Sequence, residues 1–351
     1  MSDKKLTVSA SPHVRSAQTV SGIMLNVIIA MLPAFAASVW LFGPRVLLVC
    51  AVTVGASVLA EYVSRKIMKR SNTLGDLSAV VTGLLLAFNL PVSIPLWQAA
   101  IGAVVAIVVV KQFFGGIGQN FVNPAITGRI ILMVSFPTAM TTWAKPLSYL
   151  NEGGAVTTAT PLAMNDSELP SLLDMFLGIR GGSLGETCAL ALIIGGVYLM
   201  IRKIISPAIP LAFIGTVAVV MLIAGKGDLE FVAYQLLSGG LLLGAFFMAT
   251  DYTTSPINLK GRIIFGIGCG LITSLIRIFG SLPEGVSFSI ILMNIFVPHI
   301  EHLTTPKPFG TPKEKKEKGR QRHEKLERIC NPDRRTLPHM PYRNGSACSH
   351  Q

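Results

Sequence analysis

From Ile23 to about His299 the chain returns repeatedly to apolar runs. A run of roughly twenty such residues, wound as a helix, spans a hydrocarbon core of about 30 Å. No water reaches that core to pair with backbone N–H and C=O groups, so spans must be helices or closed barrels. The runs here are continuous rather than alternating, which excludes a barrel. Only 14% of the residues are charged, against about 25% in a soluble domain. That is too few to cover a water-facing surface. No small-residue cleavage site follows the first run, so no cleavable leader is expected.

Ten segments can be marked, at residues 23–42, 46–63, 77–90, 94–110, 126–140, 187–201, 208–224, 236–249, 263–279 and 286–301. The third and eighth are short, so each is expected to be broken, tilted or buried inside the bundle. Orientation follows from the excess of cations on cytoplasmic loops. The amino terminus, with Lys4, Lys5 and Arg15, is placed inside. Ten alternating spans then put Arg65, Lys66, Lys69, Arg70, Lys111, Arg202, Lys203, Lys260 and Arg262 in inner loops. Arg45, Lys145, Arg180 and Lys226 fall outside. The largest loop also faces out and carries Glu152, Asp166, Glu168, Asp174 and Glu186.

The expected organisation is a cytoplasmic segment 1–22, a five-helix membrane unit 23–140, the outer loop 141–186, a second five-helix unit 187–303, and a basic tail 304–351. Much of the net charge of +12 sits in that tail, which includes Lys313, Lys315, Lys316, Arg334 and Arg335. It lacks apolar periodicity and is expected to be disordered. Attached to a membrane core, it reads as a cytoplasmic tail near anionic lipid rather than as a nucleic-acid binder.

The two five-helix units are weakly alike. Gly83-Leu84-Leu85-Leu86-Ala87-Phe88 lies on the third segment, and Leu242-Leu243-Gly244-Ala245-Phe246-Phe247 on the corresponding one of the second unit. Each fourth segment ends in a cation followed by Phe and Gly, at Lys111 to Gly115 and at Arg277 to Gly280. Five is odd, so duplicated units must have opposite topology, with a functional site near the midplane. The expected fold is an all-α polytopic membrane protein with about ten transmembrane helices in two inverted five-helix repeats.

Asp76, Arg129, Asp251 and Arg277 lie in or at the ends of spans. Charge costs about 3 kcal/mol or more there, so each is a functional candidate, an ion pair or an interfacial anchor. Asp76 and Asp251 are the candidates for an ion path. Asp251 precedes Thr253, Thr254, Ser255 and Pro256, a helix-ending patch suited to a cation or to a flavin. The Gly115-Gly116-Ile117-Gly118 stretch lacks the strand-to-helix context of a dinucleotide site and reads as turning or packing glycine. Cys50, Cys188 and Cys269 read as small packing residues, and Cys330 and Cys348 lie in the tail. No cysteine or histidine spacing suggests an iron–sulfur or zinc site. His299 and His302 straddle Glu301 and read as interface residues. No residue reads as catalytic.

Within the outer loop, Gly153 and Gly154 lead into Val156-Thr157-Thr158-Ala159-Thr160-Pro161-Leu162. Hydroxyls so placed can be modified or can bond the backbone in a turn. The stretch resembles the flavin-attachment motif, Ser/Thr-x-Ala-Thr, of the NqrB/RnfD family. That family comprises the D subunit of the Rnf electron-transport complex and the B subunit of the related Na⁺-translocating NADH:quinone reductase. Further stretches are similar to the same family. These are Thr73-Leu74-Gly75-Asp76-Leu77-Ser78, Gln119-Asn120-Phe121-Val122-Asn123-Pro124-Ala125, Gly185-Glu186-Thr187, and Met248 through Pro256. The resemblance covers roughly residues 11–310. The short amino terminus and the Thr-Ala-Thr-Pro-Leu form resemble the RnfD branch. That branch usually stops near Gly310, so the tail departs from its pattern.

The resemblance implies FMN joined to Thr160 by a phosphoester, with Thr157 and Thr158 as neighbours in the loop. Such a link leaves the isoalloxazine free to accept one or two electrons. Attachment by a flavin transferase working outside the cytoplasm requires an outward Thr160, which is where the charge bias puts it. The family also implies non-covalent riboflavin in the membrane part, coupling of ferredoxin–NAD electron transfer to Na⁺ or H⁺ movement, and the A, B, C, E and G subunits of the Rnf complex as partners. The location implied is the bacterial inner membrane, with both termini cytoplasmic. Two rival readings are a secondary transporter or channel built on inverted five-helix repeats, and the B subunit of the quinone reductase.

Overall fold

Thr19 opens the first helix by accepting a hydrogen bond from the Gly22 N–H, which satisfies one of the free donors of a helix start. That helix, α1, runs Val20–Phe42 and is followed by α2 at Arg45–Ile67. Then come α3 (Ser78–Phe88), α4 (Leu96–Val105, continued by a π-helical turn Ala106–Gln112) and α5 (Pro124–Ser135). Asn123 caps α5 by accepting from Ala125 N and Ile126 N. Pro124 fits the first turn, where no N–H partner is needed. The fifth expected segment is interrupted after Ser135, and α6 covers Pro137–Thr141.

A two-stranded antiparallel ladder joins β1 (Trp143–Ala144) to β2 (Thr157–Thr158). α7 (Leu172–Leu177) precedes α8 (Ala189–Ile201) and α9 (Ala208–Ala224). The eighth expected segment is broken. α10 (Leu229–Leu237) and the helical run Leu241–Met248, which begins as α11 (Leu241–Leu243) and ends as a π turn, meet at 63°. Gly239 and Gly240 make the corner at φ +67° and +66°, a left-handed conformation that costs glycine no steric penalty. α12 (Leu259–Phe279) and α13 (Val286–Thr304) complete the body. This computed structural model describes residues 18–150, 157–158, 162, 170–280 and 285–306. The helices lie in one unit, Met1–Thr304, and the expected disordered tail lies outside the described residues from residue 307 on.

Four helices, α1, α2, α12 and α13, are long and apolar enough to cross a membrane, and the bent pair makes a fifth candidate. Five further apolar helices, α3, α4 with its π turn, α5, α8 and α9, are shorter. The protein is a multi-pass, mostly helical membrane protein. Its short third segment is held inside the bundle: Leu86, Ala87 and Phe88 are fully buried.

α2 packs on α3 and α4, α9 on α12, and α12 on α13. Across the two halves, α1 packs on α8 and α5 on α13. Hydrogen bonds gather the connections at two ends of the helices. At one end Arg45 donates to Val92 O, Ser93 to Thr142 O, Leu147 N to Leu41 O and Leu184 N to Leu90 O. At the other, Ser21 donates to Gly75 O, Arg70 to Gln112 O, Tyr252 to Ile204 O and Ile257 N to Glu301.

The α1–α8 crossing depends on a missing side chain, as close helix approach within membranes generally does. A Cβ on Gly195 would collide with the Ala30 carbonyl oxygen, a backbone atom that cannot swing aside. Gly195→Val is therefore expected to cost about 1–3 kcal/mol or more by overpacking. Gly215→Val on α9, with nothing within 4 Å of its Cβ position, is the control. Unfolding midpoints in detergent check this; equal midpoints for the two variants would refute the close crossing.

Candidate functional site

Polar groups enter an apolar interior only when they are partnered there. Towards the end where Ser21 meets Gly75, they gather around Lys111. The π-helical turn of α4, a wider turn frequent at functional sites, carries Lys111 into the bundle instead of into the following loop. Its Nζ lies 2.8 Å from Glu61 Oε2 on α2 and 2.5 Å from Ser78 Oγ at the start of α3. The two charged side chains are 4% and 0% exposed. Thr73 donates to the other Glu61 oxygen at 2.8 Å. Ser78 donates to Asp76 through both its hydroxyl and its backbone N–H. Asp76 thus closes the turn ahead of α3 and is joined to Lys111 through Ser78.

A cavity of about 240 Å³ adjoins this group. Its walls are mainly apolar, from Ile23 and Met24 of α1, Val81 and Leu85 of α3, and Phe246 and Phe247 of the broken helix. Its polar lining includes Ser78, Lys111, Asn120, Asn123, Asp251 and Thr253. Asp251 sits in the non-helical segment after the broken helix. Loss of hydration pushes its carboxyl above the usual carboxylate range, and hydrogen bonds from Thr253, Thr254 and Asn120 pull it partly back. The Asn120–Asn123 and Met248–Thr254 stretches meet here, since Asn123 Nδ2 donates to Met248 O at 3.2 Å.

Deeper along α5, Arg129 is buried and donates to Asn89 Oδ1 at 2.8 Å and to Ser287 Oγ at 3.2 Å. It therefore links α5 to the carboxyl end of α3 and the start of α13. Arg277 donates to the carbonyls of Gln235 and Ser238, closing the carboxyl end of α10.

Several expectations change. Lys111 and Arg65 are buried, not solvated loop cations. Glu186, expected among the solvated acids of the outer loop, is 3% exposed. Residue order does not single out Glu61, because the apolar residues around it mask one acid in a span; the signal is that no other Asp or Glu lies between residues 46 and 63. Asp76 and Asp251 both face turn-forming hydroxyls, and the structure does not join them directly. The ladder sets Thr157 opposite Ala144 and Thr158 opposite Trp143. Thr160 lies outside the described residues.

Fold and site together define a polytopic α-helical membrane protein with a broken helix and ionisable groups inside its body. Residues 7–310 match the NQR2, RnfD, RnfE family, and the chain belongs to that family. It is 48% identical over 323 residues to the D subunit of the Na⁺-translocating ferredoxin:NAD⁺ oxidoreductase complex of Acetobacterium woodii, covering 90% of this chain and 99% of that protein. It is 45% identical to the D subunit of the proton-translocating ferredoxin:NAD⁺ oxidoreductase complex of Clostridium ljungdahlii, covering 87% and 96%. Identity to the D subunit of the ion-translocating oxidoreductase complex of Stutzerimonas stutzeri is 39%, covering 83% and 92%.

Proposed function

We propose that this chain is the membrane-embedded D subunit of an Rnf-type ferredoxin:NAD⁺ oxidoreductase that couples electron transfer to Na⁺ or H⁺ translocation. The observation that carries this reading is 48% identity along 99% of a relative so named. The chain acts within a complex, with the A, B, C, E and G subunits as partners and a flavin transferase needed for maturation. FMN is held covalently on Thr160, with Thr157 and Thr158 beside it.

The inner cavity is the place for non-covalent riboflavin. Its apolar walls suit a flat ring, and Asn120 and Thr253 offer hydrogen-bonding groups for the ring's polar edge. When bound, a flavin supplies one- or two-electron chemistry, while the protein supplies position and charge. Asp76 and Asp251 lie beside or within the polar part of this region and remain the ion-path candidates.

The body is ten transmembrane helices in two inverted five-helix repeats, set in the bacterial inner membrane. Three features support this. Four long helices, the bent pair and five shorter apolar helices together cover the ten segments. First packs on first and fifth on fifth, as α1 on α8 and α5 on α13. The loops gathered at each end of the helices are those that charge bias assigns to one side. Both termini are then cytoplasmic and the flavin loop is outside.

The test is an unstained denaturing gel under ultraviolet light. The wild-type band is expected to fluoresce, and Thr160→Val to be dark while still inserted at normal levels. A fluorescent Thr160→Val band would remove the assignment of the link. A dark wild-type band, from cells that express the flavin transferase, would favour a transporter or channel.

A further inference from the structure

Where α1 begins and α8 ends, an open cleft of about 520 Å³ lies between the two helices. Thr19, Gly22 and Asn26 line it from α1, and Ile201, Arg202 and Lys203 from the end of α8. Both cations are exposed, neither has an ion-pair partner among the described residues, and no described acid lines the cleft. Cations after a helix also favour its carbonyl end, which accounts for the charge but not for the cleft. The polar groups beside them are held in place. Tyr198 donates to Asn26 Oδ1 at 2.8 Å, and Asn26 Nδ2 donates to Gly22 O at 2.7 Å. Thr19 accepts from Gly22 N, which leaves its own hydroxyl proton to give.

The cleft stands at the end of two apolar stripes. On α8, Leu190, Ile194, Val197 and Ile201 recur at helical spacing, so they share one face, and all four are exposed. On α1, Leu25, Ile29 and Leu32 continue the line of Gly22 and are exposed as well. Contiguous exposed apolar surface of this kind marks contact with membrane or with a partner. A pair of cations set where two such stripes end is the outline of an amphiphile, not of a free anion.

We propose that this cleft binds the headgroup of an anionic phospholipid. Arg202 and Lys203 take its phosphate, Thr19 and Asn26 are the hydrogen-bonding neighbours, and its acyl chains lie along the α1 and α8 stripes. A guanidinium can hold two phosphate oxygens at once, and an ammonium adds a point charge. Basic pockets between membrane helices recognise anionic headgroups in this way. Two cations with no acid beside them select a net-negative head over a zwitterionic one, whose ammonium they repel. An occupied cleft ties α1 to α8 at one end of their crossing, so binding is read as stability. The proposal needs only a chain embedded in a membrane, so a failed flavin test leaves it untouched.

The full-length protein in detergent is titrated with phosphatidylglycerol, with phosphatidylethanolamine and with inorganic phosphate. Native mass spectrometry counts bound lipid, and thermal unfolding gives the midpoint. Phosphatidylglycerol is expected to bind and to raise the midpoint, because a ligand of the folded state stabilises it. The other two are expected to do so weakly or not at all. Each cation at the headgroup is worth about fivefold in affinity, so Arg202→Gln with Lys203→Gln is expected to weaken binding about thirtyfold. Should that protein not fold, Lys203→Gln alone decides, with an expected loss of about fivefold. The control is Lys66→Gln with Lys69→Gln, which removes the same charge from exposed positions at the same end of the helices. An equal loss in the control overturns the proposal, since attraction to basic surface is then diffuse. So does phosphatidylglycerol binding that the Arg202 and Lys203 variants leave unchanged. Phosphatidylethanolamine or inorganic phosphate binding as well as phosphatidylglycerol also overturns it, as the mark of a zwitterionic-lipid or free-anion site. A wild type that takes up no lipid does the same and assigns the stripes to a protein partner.

Discussion

Lys111→Met is expected to destabilise the protein by about 3–5 kcal/mol, because it leaves a charged partner buried and alone. The Glu61 side chain is 0% exposed and its Oε2 has Lys111 as its charged partner at 2.8 Å. Methionine fills a similar volume, so the loss reports charge rather than packing. The double variant Glu61→Gln, Lys111→Met removes both charges and keeps an acceptor for Thr73. It is expected to recover most of the loss, since a buried pair replaced as a unit is often near neutral. Denaturant unfolding of the four proteins in one detergent gives the coupling energy directly. Additive losses from the two single variants would mean that the pair does not act as a unit.

That pair also marks the limit of reading this chain from its residues in order. Hydrophobic length locates the helices, because a span must be apolar whatever its neighbours are. The corner at Gly239 and Gly240 is partly visible, as a short segment with two adjacent glycines. The direction in which charged residues turn is not visible. Lys111 follows an apolar run, and residue order alone assigns it to the next loop; a π turn winds it inward to Glu61. Glu186 sits among loop acids, yet backbone bonds to Phe88 and Leu90 draw its segment into the body. Asp76 is visible as a charge near a span, but its bonds to Ser78 give it a turn-closing role that spacing does not reveal. The misses at Lys111 and Glu186 have one cause: burial of a polar side chain is decided by partners far away in sequence.

Arg129 tests whether the same holds across the two halves. Its guanidinium joins α5 to Asn89 at the end of α3 and to Ser287 at the start of α13, 158 residues away. Asn89 is 2% exposed, so its Oδ1 would face an apolar interior once Arg129 is removed. Arg129→Met is expected to cost about 3–5 kcal/mol, the range for breaking a buried charged contact from one side. Arg129→Lys keeps the charge but is shorter and replaces the guanidinium, whose Nη1 makes both bonds, by a single ammonium, so it is expected to fall between wild type and Met. Asn89→Ala alone should cost less, because it leaves Ser287 as a partner. Combined with Arg129→Met it should add little, since the acceptor is then already gone. Unfolding midpoints read the stability. Limited proteolysis reads whether α5 and α13 part first, as loss of their shared contact predicts. An Arg129→Met protein within about 0.5 kcal/mol of wild type, the usual effect of a surface change, would show that this contact does little to join the halves.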